Sequence, residues 1–298
     1  MPTKLNLERA LAVIRASPDH IVLDRITPRL RYHAPDGTPC IRAVYLDTET
    51  TGIDPEDVLI EFAIAAFDFD PLSGRIFDVT PARSWLEDPK RPIPTQITNL
   101  TGITDEMVRG KSISEREVIA TCDKAQLIIA HNAGFDRPMV ERRIPWFAEQ
   151  RWACSQYDIN WYRAGYSGLS MDYLVMKHAR SFHDGHRAAA DVVAGVHVLA
   201  STFSDGTWPM RELNANANRV TCQIRAVGAP YELKDTLKAR GYRWDPGRNG
   251  RERSWWIEIS EEACAVEHAW LIRNVYAMGG RPIMRKMTAR ERYSERGR

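Results

Sequence analysis

The sequence predicts an α/β domain, a mixed sheet flanked by helices, followed by a small α+β unit. Three observations predict it. Apolar, β-branched and aromatic runs at Ala43–Leu46, Val58–Phe69 and Arg75–Val79, separated by turn residues, read as a strand meander. From Ser114 to Phe203, helical and strand-like patterns alternate, which brings the strand count to five. A polar stretch with Asn214, Asn216 and Asn218 then precedes a second run of strand and helix signals.

Residues 1–40 form a lead-in, with Leu5, Leu7, Leu11 and Ile14 at the spacing of a short amphipathic helix and Pro28, Pro35 and Pro39 marking turns. The first core strand ends in Asp47-Thr48-Glu49-Thr50-Thr51-Gly52. Alternation places Asp47 and Glu49 on one face of that strand, ~7 Å apart. Two carboxylates that close repel unless a cation lies between them, and hard divalent cations such as Mg²⁺ favour such ligands. Taken alone, the stretch is equally a strand end carrying solvated acids.

Asp70-Pro71-Leu72-Ser73-Gly74 turns the second strand into the third. Pro89, Pro92 and Pro94 make the next part irregular, and Thr104 precedes a helix start. Ser114 to Cys122 reads as a helix and Gln126 to Ala130 as a buried strand. Asp136 then opens a helix whose Pro138 is tolerable in a first turn. Trp152 to Ser155 is the fifth strand; Ser170 to Lys177 and Ala188 to Phe203 are helices. The Gly-containing loop His183-Asp184-Gly185-His186-Arg187 enters the last of them, which carries Asp191.

The boundary is expected at 206–219. Beyond it come a strand at Val220–Val227, a helix at Tyr231–Ala239, two strands at Gly241–Trp244 and Ser254–Ile259, and a final helix opened by a capping box at Ser260. Between Lys234 and Trp256 there are seven basic residues against three acidic, interleaved with Tyr242, Trp244, Trp255 and Trp256. Aromatic faces stack on bases and arginines hold phosphates, so Arg243, Trp244, Arg248, Arg251, Arg253 and Trp255 are candidate nucleic-acid contacts. The competing reading makes the tryptophans the core of a small domain. Residues 278–298 are expected to be a basic extension, with seven Lys/Arg against two Glu from Arg281 onward.

Bulk composition is ordinary: 298 residues, 44% hydrophobic, 27% charged, net charge +2. Any basic patch is therefore local. The five cysteines are odd in number and form no CxxC pair, which argues against a disulfide framework and a zinc site and fits a reducing cytoplasm. No apolar run has the length of a membrane span, so no membrane partner is expected.

Asp47, Glu49, Asp136 and Asp191, with His186 nearby, each follow a strand or open a helix, where ends converge at one edge of an α/β sheet. Four convergent carboxylates suit two divalent ions, Mg²⁺ or Mn²⁺, clamping the attacking and leaving oxygens of a phosphoryl displacement. A histidine beside them has the pKa of a general base.

The three segments, Asp47 to Gly52, His131-Asn132-Ala133-Gly134-Phe135-Asp136, and His186 with Asp191 five residues on, resemble the three motifs of the DEDDh 3′–5′ exonucleases, DnaQ-like proteins of the proofreading (epsilon) type. The resemblance spans residues 41–205 and includes Leu100 and Thr101 in what resembles the substrate-side loop. It implies an RNase H-like fold. It also implies that Asp47 bridges both metals, that Glu49 and Asp191 hold the water-activating ion and that Asp136 holds the second. His186 is then the general base; spacing to Asp191 favours it over His183. Thr50, Thr51 and Gly52 would meet the terminal nucleotide, Asn132 would orient the site and Phe135 would pack nearby. His131 is counted with these substrate-side candidates, although on its own it reads more readily as structural, as do His33, His178 and His197.

The implied activity is removal of nucleoside 5′-monophosphates from the 3′ end of single-stranded DNA or frayed ends. RNA stays open as substrate, because these motifs contact the sugar-phosphate. Two further readings are a polymerase-bound proofreading subunit and a non-catalytic nucleic-acid-binding module. No polymerase-docking segment is evident, and the intact acid set argues against the module.

Overall fold

The computed structural model describes residues 4–247, 252–277 and 279–297. Two compact units emerge, one running to Ala217 and including Tyr293–Glu295, the other holding Asn218–Arg292.

The first unit begins with α1 (Lys4–Ala16) and the two-residue strand β1 (Asp24–Arg25). The meander follows as β2 (Ile41–Thr50), β3 (Leu59–Phe69), β4 (Ile76–Val79) and β5 (Arg83–Leu86). Then come α2 (Thr95–Thr101), α3 (Asp105–Val108), α4 (Glu115–Thr121), β6 (Ala125–Ala130), α5 (Ala133–Arg143), β7 (Trp152–Cys154), α6 (Met171–Lys177), β8 (Ser181–Phe182), α7 (Ala188–Ala200) and α8 (Pro209–Asn218). The main sheet runs β4-β3-β2-β6-β7, with β5 also on the edge of β3. It is mixed: β2 pairs antiparallel with β3 and parallel with β6. The expected five strands become six, because Arg83–Leu86, read as irregular, pairs with Glu61–Ile64.

β2 is central and buried on both faces, which its continuous apolar run Ala43–Leu46 anticipates. Alternation splits it between two cores. Ala43 and Tyr45 join a cluster with Val192, Val196 and Leu199 of α7. Val44 and Leu46 join one with Val118 of α4 and Val140 of α5. Gly195 lets α7 lie against β2: a Cβ there would come within 2.1 Å of the Tyr45 ring.

The expected linker at 206–219 is instead largely α8, whose Met210, Leu213 and Ala217 are buried in the first core. Its asparagines sit beside apolar residues at helical spacing, and burial outweighs their poor helix propensity. Loop Thr98–Thr101 is likewise helical, closing α2 on Gly102 in the left-handed region.

The second unit contains β9 (Thr221–Val227), α9 (Lys234–Ala239), β10 (Arg243–Asp245), β11 (Ser254–Ser260), α10 (Cys264–Asn274) and β12 (Ile283–Met287). The sheet order is β10-β11-β9-β12 and every neighbouring pair is antiparallel. A β-α-β-β-α-β chain in that order is the ferredoxin-like arrangement. Ile224, Ala226, Leu237, Trp255 and Leu271 form its core. Arg240 and the Tyr242 hydroxyl both donate to Glu267, at 2.7 and 2.9 Å.

Three expectations change here. The basic extension from residue 278 contains β12, and Tyr293 packs against the second core of the first unit. Ser260 makes no side-chain cap bond, and α10 begins at Cys264 after a 3₁₀ turn. Cys222 and Cys264 are disulfide-bonded, 42 residues apart in sequence. The bond joins β9 to α10, a proximity created by packing and invisible in cysteine spacing. The reducing-cytoplasm reading loses that support.

Candidate active site

β2 and β6 are parallel, so their carboxyl ends lie side by side, the position where α/β sheets collect functional groups. β2 ends in Asp47 and Glu49, whose face is that of Tyr45 and hence of α7. Asp191 lies on the first turn of α7. Asp47, Glu49 and Asp191 each offer a carboxylate oxygen within 4.8 Å of the others. Such an all-oxygen donor set fits a hard divalent cation. Thr48 points to the opposite face and donates to Asp136 Oδ1 at 2.8 Å, tying the first turn of α5 to β2.

The charges are crowded. Burial, then Asp136, Asp191 and Glu49, hold the Asp47 carboxyl well above its ordinary range. Burial followed by Asp191 and Glu61 pushes Glu49 up to about 8. Burial pushes Asp136 up to about 7, against the lowering effect of its bond from Thr48. Carboxyls in this state prefer a proton or a cation to water.

His183 Nε2 lies 2.9 Å from Asp191 Oδ1, while the other oxygen accepts the Arg187 N–H at 3.1 Å. The hydrogen bond to Asp191 raises the His183 pKa. His186 is exposed, with a left-handed backbone at φ 63°. The histidine seated against Asp191 is therefore His183, although spacing favoured His186.

Glu61 was not anticipated. It is 1% exposed, faces Glu49 across the β2–β3 ladder and accepts bonds from Arg187 Nε at 3.1 Å and the Ala188 N–H at 3.2 Å. A single acid inside the apolar run Leu59–Phe67 was the signal available in the sequence.

The other expected contacts divide. Thr50 Oγ1 donates to the Gly52 carbonyl at 2.5 Å and Thr51 Oγ1 to Asp57 at 2.6 Å, so both hydroxyls brace the turn. A Cβ at Gly52 would lie 2.4 Å from Asp57 Oδ2, so the Asp57 carboxylate that Thr51 holds would have to shift. Leu100 is 51% exposed on α2, whereas Thr101 is buried and donates to the Ile97 carbonyl. His131 is bonded to Ser155 and the Leu169 carbonyl, and burial lowers its pKa to about 4, a neutral structural histidine. Asn132 is exposed at the left-handed residue before α5, and Phe135 packs against the second core.

In the second unit, Trp255 is core, while Trp244 is 51% exposed with its ring 5.4 Å from that of Trp255. Arg243 and Arg253 are exposed, and Arg248 and Arg251 lie outside the described residues.

Residues 44–199 match the family model described as Exonuclease (RNase T). The DNA polymerase III PolC-type of Mycoplasmopsis pulmonis is 33% identical over 103 residues, which are 34% of this chain and 7% of that protein. Its counterpart in Thermotoga petrophila is 36% identical over 97 residues, 31% of this chain and 6% of that protein. The chain thus spans a small fraction of these relatives' length. Among solved structures, Exonuclease X in complex with 5′ overhanging duplex DNA is 24% identical at a TM-score of 0.39, covering 57% of this chain and 99% of that one. Brucella melitensis NrnC is 15% identical at a TM-score of 0.29, covering 67% and 76%. Among the described residues, no helix is long and apolar enough to cross a membrane.

Proposed function

Because the chain belongs to the exonuclease family, within the DnaQ-like group of the RNase H-like superfamily, we propose that it is a metal-dependent 3′–5′ exonuclease. It removes nucleoside 5′-monophosphates from the 3′ end of single-stranded DNA or frayed ends. The observation that carries this reading is the convergence of Asp47, Glu49 and Asp191 oxygens within 4.8 Å; Asp136, bonded to Thr48, lies near enough for its charge to act on Asp47.

Asp47, Glu49 and Asp191 would hold one divalent ion, and Asp136 would help hold a second. Ions bound there would supply polarisation of the phosphoryl group, a lowered pKa for a water and charge neutralisation in the transition state. His186, exposed at the mouth of α7, accepts the proton of that water. Leu100 packs against the terminal base, and the Thr50–Gly52 turn presents its backbone to the terminal sugar. A second assignment, His183 as the base, is favoured by its 2.9 Å contact with Asp191.

The test is digestion of 5′-labelled single-stranded DNA, duplex DNA and single-stranded RNA with Mg²⁺, Mn²⁺ or EDTA. A metal-dependent ladder shortening from the 3′ end supports the reading, and the ranking of strands decides between DNA and RNA. Intact strands that remain bound would make the chain a binding module. Stimulation by an added replicative polymerase would favour the proofreading role that the PolC-type names suggest.

A further inference from the structure

The two helices of the second unit cover one face of its sheet, and the strand register identifies the side chains on the other. Cys222, Ile224 and Ala226 of β9 and Trp255 of β11 belong to the core, so the residues between them face away from it. The ladder aligns Arg243 with Trp256, Trp256 with Arg225 and Arg225 with Ile283. One row across all four strands therefore reads Arg243, Trp256, Arg225, Ile283. Arg243 is exposed, Ile283 is 52% exposed and Trp256 is half-buried. The Arg243 guanidinium lies 5.8 Å from the centre of the Trp256 ring, and Asp245 fixes Arg225 at 2.6 Å. Arg285, also exposed, stands on the next residue pair of this face.

Gln223 and Met287, further along this face, are buried, and Arg225 is neutralised by Asp245. What the face presents is the half-buried Trp256 indole beside the exposed Arg243 and Arg285, a stacking surface for a base with positive charge for the adjoining phosphates. An acidic peptide would use the arginines and leave the indole without a partner. We propose that this face, centred on Trp256, binds a single nucleic-acid strand. The inference rests on the exonuclease reading only for the identity of the strand; the binding stands without it. It also changes the contact set expected from the sequence. Trp244 and Trp255 are cross-strand neighbours on the helix-covered side, and Trp256 and Ile283 take their place.

The test uses the full chain in EDTA, so that no strand is cut, with fluorescein-labelled oligothymidylate, oligouridylate and a DNA duplex read by anisotropy. Trp256→Ala should weaken strand binding about tenfold. Arg243→Ala should weaken it by at least about threefold and reduce the salt slope by ~0.7. Trp244→Ala should leave it within about twofold, a stacked base being worth roughly tenfold. Should Trp256→Ala fail to fold by thermal unfolding, Arg243→Ala and Arg285→Ala, at exposed positions, carry the same test. Smaller losses at Trp256 and Arg243, an equal loss at Trp244, or a duplex bound as tightly as the single strands would overturn the proposal. A wild type that binds without cleaving removes the catalytic reading alone. One that cleaves, with binding unchanged in the Trp256 and Arg243 variants, removes this one alone.

Discussion

Glu49 and Glu61 are cross-strand partners on the face of the sheet that meets α7, two carboxylates placed directly opposite each other. Like charges in that position destabilise a sheet. Here they diverge: Glu61 is bonded to Arg187 through Nε and Nη2 at 3.1 and 3.2 Å, whereas Glu49 is left with a pKa of about 8. Arg187 also donates its backbone N–H to Asp191 and follows His186 directly. One residue thus fixes the entry of α7 against β3 while holding one carboxylate of the Asp47–Glu49–Asp191 cluster.

Arg187→Gln should therefore lower stability by about 2 kcal/mol, the usual worth of a hydrogen bond to a charged group, while the backbone N–H to Asp191 is retained. Glu61→Gln should do less alone. In a urea-denaturation cycle the double variant should be clearly less destabilised than the sum of the two. Additive effects would mean that the pair is not coupled.

Stability of the metal-free protein should fall as pH rises. Asp136 and Glu49 titrate near 7 and 8 when folded, but near 3.8 and 4.5 when unfolded. Between those limits the folded state binds more protons than the unfolded one, so each step up in pH favours unfolding. Mn²⁺ competes with those protons, and its stabilisation should grow with pH. At a hundredfold excess over Kd it would reach ~2.7 kcal/mol, on the order of 5–10 °C in Tm. Thermal scans in EDTA and in Mn²⁺ at both ends of the window decide it. A metal-free Tm that climbs with pH would sink the argument.

The histidines separate by a pair of variants. His186→Ala should cut the single-turnover rate by ~10²-fold or more, with Mn²⁺ affinity by calorimetry unchanged. His183→Ala releases Asp191 Oδ1 and should tighten Mn²⁺ binding, with a smaller loss of rate. The reverse pattern would make His183 the base.

Asp47 and Glu49 were legible as sharing one strand face, but locally they read equally as solvated acids; the three motifs taken together singled out the set, and the structure brings Asp47, Glu49 and Asp191 together. The strand meander was legible locally, its burial being written in continuous apolar runs. Glu61 was not, because a lone acid in such a run acquires meaning only when Arg187, 126 residues away, reaches it. Strand β5 was hidden by the prolines that follow it. Helix α8 was hidden by asparagines whose neighbours Met210, Leu213 and Ala217 supply the burial. In the second unit, the face assigned to each tryptophan depends on a register that no single strand carries. The Cys222–Cys264 bond depends on the packing of a helix over a sheet.

Gly195 offers the last expectation. It lies on α7 one helical turn beyond Asp191, and a Cβ there would meet the Tyr45 ring at 2.1 Å, with the hydroxyl at 2.4 Å. Tyr45 cannot retreat: it is fully buried and its hydroxyl is bonded to Ser155 at 2.9 Å. The helix must move instead, taking Asp191 away from Asp47 and Glu49. Although alanine raises helix propensity, Gly195→Ala should destabilise by ~1–3 kcal/mol through overpacking and weaken Mn²⁺ binding in parallel. Val196→Ala, also on α7, leaves a small cavity and should lower stability with little effect on metal affinity. Equal metal affinity in the two variants would show that the approach of α7 to β2 does not set the position of Asp191.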